Sequence, residues 1–384
     1  MNAARRWVCA ASSAAVLGIA LGASASAPIL ARGGGTLTVG RVRRSLQLLA
    51  RPIPRTPWTV RARATLRGIA ARPAVATDDR EIAVVLTSPA SLVWVASDGT
   101  IARTLRLDDR PSAPIAVGLA GRVYVPVEGR ALYVVAPDAS LRAIVPLAFA
   151  MTTAPIVRAD GRVQVLAPPA SAASESYSAV LHSFAPDGER LAMTPIHGAS
   201  LVAAMPALDG DDCLWIPSAG RVACMTPSGR RLGGGFVASA SRIVPLGSGV
   251  LATSDGGVVE FRTHEGALRG RADIGGELTA LTAGGLDRVL VVRVSAVSEV
   301  VSVASDGSVA ARVPAPSSPT DAPLADATGA FVVSNRSGEV IAYEPNGTER
   351  WRLTVGSAIV QPMTPLPEGG VALCTSSGEL VVLH

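Results

Sequence analysis

Clustered carboxylates, histidines and cysteines are the side chains of this sequence that could do chemistry. Carboxylates gather at Asp78-Asp79, at Asp108-Asp109, and at Asp209 with Asp211-Asp212. Such groups can hold calcium or divide acid and base work between them. All three fall in segments that read as loops between strands. Asp is favoured there for backbone reasons alone, so solvated turn acids are the simpler reading. The histidines, His182, His197, His264 and His384, are scattered. No Ser/His/Asp order and no Cys/His metal spacing can be placed. Gly233-Gly234-Gly235 does not lie between a strand and a helix, so it is not a phosphate loop. The sequence therefore assigns no catalytic, cofactor-binding or metal-binding residue.

The cysteines say more about compartment than about catalysis. Cys213 and Cys224 flank Ser218-Ala219-Gly220 at nearly equal distance. If that segment is a hairpin turn, the two can face each other and bridge in an exported protein. One slip of register would reverse the faces. Cys374 is left over as a small buried hydrophobe. Residues 1–25 read as a secretory signal. Arg5 and Arg6 form the positive start, Trp7 to Leu21 the apolar run, and Ala23-Ser24-Ala25 the cleavage pattern. Periplasmic or secreted protein is the expectation. An uncleaved anchor is the alternative, and would give the only membrane contact. Cys9 precedes the apolar run and is not in a lipobox.

Composition removes several classes. Of 384 residues, 48% are hydrophobic, 17% charged and 4% aromatic. Past the signal no apolar stretch is long enough to span a bilayer as a helix. Disorder is excluded by the apolar content. Every one of the 35 basic residues is Arg. Removing the signal takes away two Arg and no acid, which lowers the net charge from +5 to +3. That is a small excess, and no Arg cluster is interleaved with aromatics, so nucleic acid is not an expected partner. Arg41, Arg43 and Arg44 lie in a segment, 26–56, that reads as a mobile lead-in.

The elements that must position these residues repeat. Turns ending in Gly recur as Ser97-Asp98-Gly99, Pro186-Asp187-Gly188, Pro227-Ser228-Gly229, His264-Glu265-Gly266, Ser305-Asp306-Gly307 and Pro345-Asn346-Gly347. Pro137-Asp138-Ala139 stands in the same slot. The intervals between their middle residues are 40, 49, 41, 37, 41 and 40. Prolines at 73, 114, 155, 206, 245, 323 and 365 open units in step with them, and the unit near Ala283 lacks its Pro. Each opening is followed by two Val-rich runs, such as Ile82–Leu86 and Val93–Val95, then the Gly turn and one more short strand. Four short antiparallel strands in about 40 residues is one propeller blade.

Eight openings give an all-β, eight-bladed propeller over residues 57–384, with seven blades as the runner-up. The last unit stops at His384, before its turn and fourth strand. Pro57-Trp58-Thr59-Val60-Arg61-Ala62 precedes Pro73 much as Trp351–Val355 precedes Pro365. The N-terminal strand is therefore expected to complete the C-terminal blade and remove an open edge. The long interval holds Ala167–Tyr177, which reads as a protruding insertion or a flexible spacer.

One unit runs Ile341-Ala342-Tyr343-Glu344-Pro345-Asn346-Gly347-Thr348-Glu349-Arg350-Trp351. It resembles the repeat of quinoprotein (PQQ-like) propellers, in which Ala, an acidic turn, Gly and a Trp recur in each blade. Ala342, Gly347 and Trp351 carry the match, with Trp58 at the closing strand. The resemblance implies that the Trp docks one blade against the next. In other units Arg103, Ala192, Gly233, Gly270 and Ala311 occupy the Trp slot. The superfamily implies two kinds of function. Its dehydrogenases use a quinone, a calcium-binding Glu/Asn/Asp set, a catalytic Asp and often adjacent cysteines. Its non-enzymatic members include the periplasmic propeller of the outer-membrane β-barrel assembly machinery. This chain has no adjacent Cys pair, and outside the signal its only Asn are Asn335 and Asn346. The expectation is an exported, monomeric, non-enzymatic scaffold without cofactor that binds another envelope protein. A quinone-dependent enzyme, or the sensor part of a surface protein, is the alternative.

Overall fold

The structure is a computed structural model. It describes residues 29–30, 36–37 and 48–384, apart from 73, 78–80, 152, 169–178, 197–205, 211, 219–220, 227–230, 238–239, 241, 296 and 316–321. The signal segment, Arg41, Arg43, Arg44, Asp78-Asp79, Asp211, His197 and nearly all of the insertion lie outside the described residues. The chain divides into two units, Met1–Val39 and Gly40–His384. In the first, Ile29–Leu30 pairs antiparallel with Thr36–Leu37.

The second unit is built of eight four-stranded antiparallel sheets. We number these blades 1 to 8 from the sheet that begins at Val75. Strands run in sequence order from the first, on the inside, to the fourth, at the rim. Blade 8 is the exception. Its first three strands are Thr364–Pro365, Val371–Cys374 and Glu379–Leu383, and its fourth is Val60–Thr65. The two ends pair in register Arg63↔Val381, and Thr59 and His384 exchange backbone bonds of 3.0 and 3.1 Å. The ring is closed by the N-terminal strand.

Burial explains the pattern of the runs. Second and third strands are buried on both faces, as in Val123–Val127 and Ala131–Val135, because each sheet is packed between two neighbours. Fourth strands alternate, as in Val309–Pro314, because only one face meets the next blade. The apolar core is accordingly divided among the seams. Ala62, Leu380 and Val382 of blade 8 share a cluster with Ile82, Val84 and Val93 of blade 1. The recurrent turns join third to fourth strands. Asp98 Oδ1 accepts the Thr100 N–H at 2.9 Å, Asp306 the Ser308 N–H at 2.8 Å, and Asn346 the Thr348 N–H at 3.0 Å. Gly99, Gly188, Gly307 and Gly347 all have positive φ there, and Ala139 adopts φ 64° in the same slot. The repeated acids are turn formers. Their hydrogen bonds hold Asp98, Asp138 and Asp306 below the usual carboxylate range.

Candidate functional site

A propeller offers two natural sites, its axis and the loops at its faces. Five of the eight first strands that line the axis are short and apolar: Val75–Ala76, Ala116–Val117, Ile156–Val157, Ala207–Leu208 and Leu324–Ala325; the others, Arg242–Pro245, Glu277–Ala283 and Thr364–Pro365, also carry polar residues. The two buried carboxylates that follow such strands are already engaged. Asp209 accepts the Cys213 N–H at 2.9 Å and the Trp215 indole N–H at 2.7 Å. Asp326 accepts the Thr328 N–H at 2.7 Å and the Ile53 N–H at 2.7 Å. Asn335 closes a turn in blade 7, with its amide on Glu339 at 2.7 Å, and Asn346 is exposed in another turn. Among the described residues no three His, Cys, Asp or Glu converge on one point. These donors do not fit a quinone with its calcium.

Part of the axis is filled by the chain itself. Leu48 bridges in parallel to Ala325, and Leu49 N–H bonds to Ala325 O at 2.7 Å. That places the segment on the inner edge of blade 7. Leu48 shares an apolar cluster with Val244, Leu246, Leu281 and Ala283, which belong to the first strands of blades 5 and 6 or adjoin them. From there the chain passes Asp326 at Ile53, takes Arg350 Nη1–H on Ile53 O at 2.5 Å, and reaches the rim as Val60–Thr65. Nothing local in LLARPIPRTP signals this. The partners lie nearly 300 residues away in sequence, so the sequence reads only as a lead-in.

The seams between blades explain the motif residues. Gly99, Gly188, Gly307 and Gly347 sit on the fourth strand of the preceding blade. A Cβ on Gly188 would lie 2.7 Å from Val145 Cγ2, and one on Gly307 2.5 Å from Arg271 O. The Trp slot faces the same seam, and it is small where the turns at Gly307 and Gly347 dock. Gly270 meets the turn of blade 6, and Ala311 meets Gly347 of blade 7. Blade 8 has no such turn, because its third and fourth strands come from opposite ends of the chain. Trp351 fills that space. Its ring packs on Trp58 at 5.2 Å between centroids, and its indole N–H donates to Pro54 O at 2.9 Å. Ala342 is its cross-strand partner.

The remaining candidates are dispersed. Asp108 and Asp109 are exposed in the connection from blade 1 to blade 2. Gly233-Gly234-Gly235 lies within the strand Arg231–Val237. Cys213 and Cys224 are joined by a disulfide with Cα atoms 5.7 Å apart, and Cys374 is buried, its thiol pushed up to about 12 by burial. His182 is buried between Phe149 and Phe184, and burial first, then Arg190, holds it below its ordinary value. His264 of blade 5 packs on Trp215 of blade 4 at 5.0 Å, and His384 is exposed. Sequence reasoning missed Arg158. Its side chain is fully buried, donates to Gln164 Oε1 at 2.7 Å, and reaches across to the carbonyls of Met225 at 2.9 Å and Thr226 at 3.0 Å in blade 4, and to Asp212 O. Burial lowers its pKa, against the pull of Asp212. Its one signal is position. It stands in the turn after a first strand, where Asp209 and Asp326 also stand.

These features define the class: an eight-bladed β-propeller closed by its N-terminal strand. Comparison with solved structures finds the same fold in three settings. BamB from Moraxella catarrhalis matches with a TM-score of 0.65 at 14% identity, over 86% of this chain and 98% of that one. Quinohemoprotein alcohol dehydrogenase from Comamonas testosteroni matches at 0.64 and 9% identity, over 88% of this chain and 78% of that one. The C-terminal WD40 domain of Sif2 matches at 0.62 and 14% identity, over 85% and 98%. No protein-family model and no curated protein sequence matches the chain. At these identities the likeness is one of fold.

Proposed function

We propose that the protein is a non-enzymatic propeller that binds another protein in a bacterial envelope. One observation carries the reading. The axis, where a propeller enzyme would gather its reacting groups, is lined in five of eight blades by two-residue apolar strands and partly filled by Leu48 and Leu49. What remains is a rigid ring that presents loops and edges, which suits recognition of a macromolecule. The similarity to BamB supports this, and the signal-like residues 1–25 support an exported protein. The disulfide between Cys213 and Cys224 agrees with an oxidising compartment.

The similarity to a quinohemoprotein dehydrogenase keeps an enzyme as the second reading. One experiment separates the two. The purified protein is incubated with quinone and calcium and assayed for a quinone absorbance change and for dye-linked alcohol oxidation. The scaffold reading expects neither, and activity would overturn it. Affinity capture from envelope extracts, with a variant lacking residues 167–177 as control, then tests for a specific protein partner and for the part played by the insertion.

A further inference from the structure

The turns between third and fourth strands are alike in shape and unequal in reactivity. In five of them a side-chain oxygen accepts the backbone N–H two places ahead. The residue is Asp98, Asp138, Asp187 or Asp306 in blades 1, 2, 3 and 6, and Asn346 in blade 7. Gly follows it in every case but blade 2, where Ala139 does. Such a pair can close a five-membered ring. The glycine nitrogen lies beside the side-chain carbonyl carbon, and no Cβ hinders its approach. An ionised carboxylate resists that attack, and the turn hydrogen bonds favour the ionised form of Asp98, Asp138 and Asp306. Asn346 instead presents a neutral amide, with ammonia as its leaving group. Its Oδ1 takes the Thr348 N–H at 3.0 Å, which draws electrons from Cγ, and the side chain is exposed to water.

Asn335 is placed quite differently. It is 1% exposed and is followed by Arg336. Its Oδ1 accepts the N–H groups of Ser337 at 2.9 Å and Glu339 at 3.1 Å, and its amide nitrogen donates to Glu339 Oε2 at 2.7 Å. The leaving nitrogen is held and the attacking one carries a bulky residue. From this contrast we propose that Asn346 is a site of spontaneous covalent modification in the folded protein, through a succinimide formed with Gly347. The Gly347 nitrogen bonds to Asn346 Cγ, and its proton leaves with Nδ2 as ammonia. Water then opens the ring. Breaking the new N–Cγ bond leaves aspartate in a normal chain. Breaking the original peptide bond leaves isoaspartate, with the chain running through the side-chain methylene. Gly347 N–H donates to Glu344 O at 2.9 Å, so the turn opens before the nitrogen attacks. An exposed turn opens far more readily than the ring unfolds. The two products differ at the seam. Aspartate is already the residue of the equivalent turns. Isoaspartate lengthens the backbone where Gly347 rests on blade 6, its would-be Cβ 3.1 Å from Ala311 Cβ and from Val313 Cγ1, and lifts the turn from that seam. This holds whatever the ring binds.

Ageing of the full-length protein at mildly alkaline pH, followed by peptide mass spectrometry, tests it. Residue 346 is expected to gain the mass difference between an amide and a carboxyl group, while Asn335 does not. Conversion is expected to run about five- to a hundredfold slower than in the urea-unfolded chain, as the breaking of one or two turn hydrogen bonds implies. Asn346→Asp is expected to melt with the parent and to show no mass gain at that position. In aged protein, electron-transfer fragmentation reads the isoaspartate fraction. A second, lower-melting population of the same fraction is expected, absent from Asn346→Asp. The proposal falls if residue 346 is unchanged in the folded protein, if Asn335 converts as fast, or if protein bearing isoaspartate melts with the parent.

Discussion

The seam between blades 6 and 7 and the seam between blades 7 and 8 solve the same problem by different means. At the first, Gly347 of blade 7 sits 3.1 Å, at its would-be Cβ, from Ala311 of blade 6. A turn fills the space, so the facing slot is small. At the second no turn exists, because the closure pairs His384 with Thr59 from a distant part of the chain. There the slot holds Trp351, packed at a tilt against Trp58 and tied to Pro54. The seams teach that the conspicuous Trp of this repeat compensates for a missing turn. It is a consequence of how the ring closes, and it need not recur in other blades.

The largest expected effect comes from removing that closure. Deletion of residues 57–62 takes away Trp58 and part of Val60–Thr65, the fourth strand of blade 8. It leaves Glu379–Leu383 as an unpaired apolar edge, the situation that favours aggregation. The variant is expected to be aggregated or to melt far below the parent in circular dichroism. An unchanged melting temperature would refute the closure as a source of stability.

Next in size is Trp351→Ala. It empties a buried aromatic site and orphans Pro54 O, so a loss of about 3–5 kcal/mol is expected in urea unfolding. Trp351→Phe keeps most of the packing and should lose clearly less. Equal losses would show that the indole hydrogen bond, rather than the filled space, holds the seam.

Arg158→Leu probes a third kind of seam, between blades 3 and 4. The guanidinium there spans to the backbone of blade 4, and its removal leaves the carbonyls of Met225 and Thr226 without that donor. Buried acceptors left unsatisfied cost about 1–3 kcal/mol each, so a loss of about 3 kcal/mol is expected, without change in oligomeric state. A loss near zero would mean that water replaces the arginine.

Much of this architecture is legible in the sequence, and the reason is local. A turn such as Asp306-Gly307-Ser308 is specified by its own residues, because Gly takes positive φ and Asp bonds two residues ahead. Strand runs such as Val289–Val292 are specified by burial on both faces. Period, blade number and closure follow from those. The contacts that the sequence does not carry are those between distant residues. Leu48 on Ala325, Ile53 on Asp326 and Arg158 on Met225 join short, ordinary stretches whose meaning depends on what the ring brings beside them.

The smallest effects test the ordinary seam, and they have opposite signs. Gly307→Ala puts a Cβ at φ +89° and 2.5 Å from Arg271 O of blade 5, so the turn must lift from the strand beneath it. A loss of about 2–3 kcal/mol is expected, larger than the 1–2 kcal/mol for a left-handed residue alone. Ala139 already bears that conformational cost in blade 2, at φ 64°. Ala139→Gly should therefore relieve about 1–2 kcal/mol of strain and give back part of it as added freedom in the unfolded chain. A net gain of about 0.5–1 kcal/mol is the expected result, read as a higher urea midpoint with the same slope. If Ala139→Gly instead destabilises the protein, the methyl group of Ala139 is contributing packing against blade 1. The turn would then hold its seam by contact rather than by conformation, as Trp351 does at the closing one.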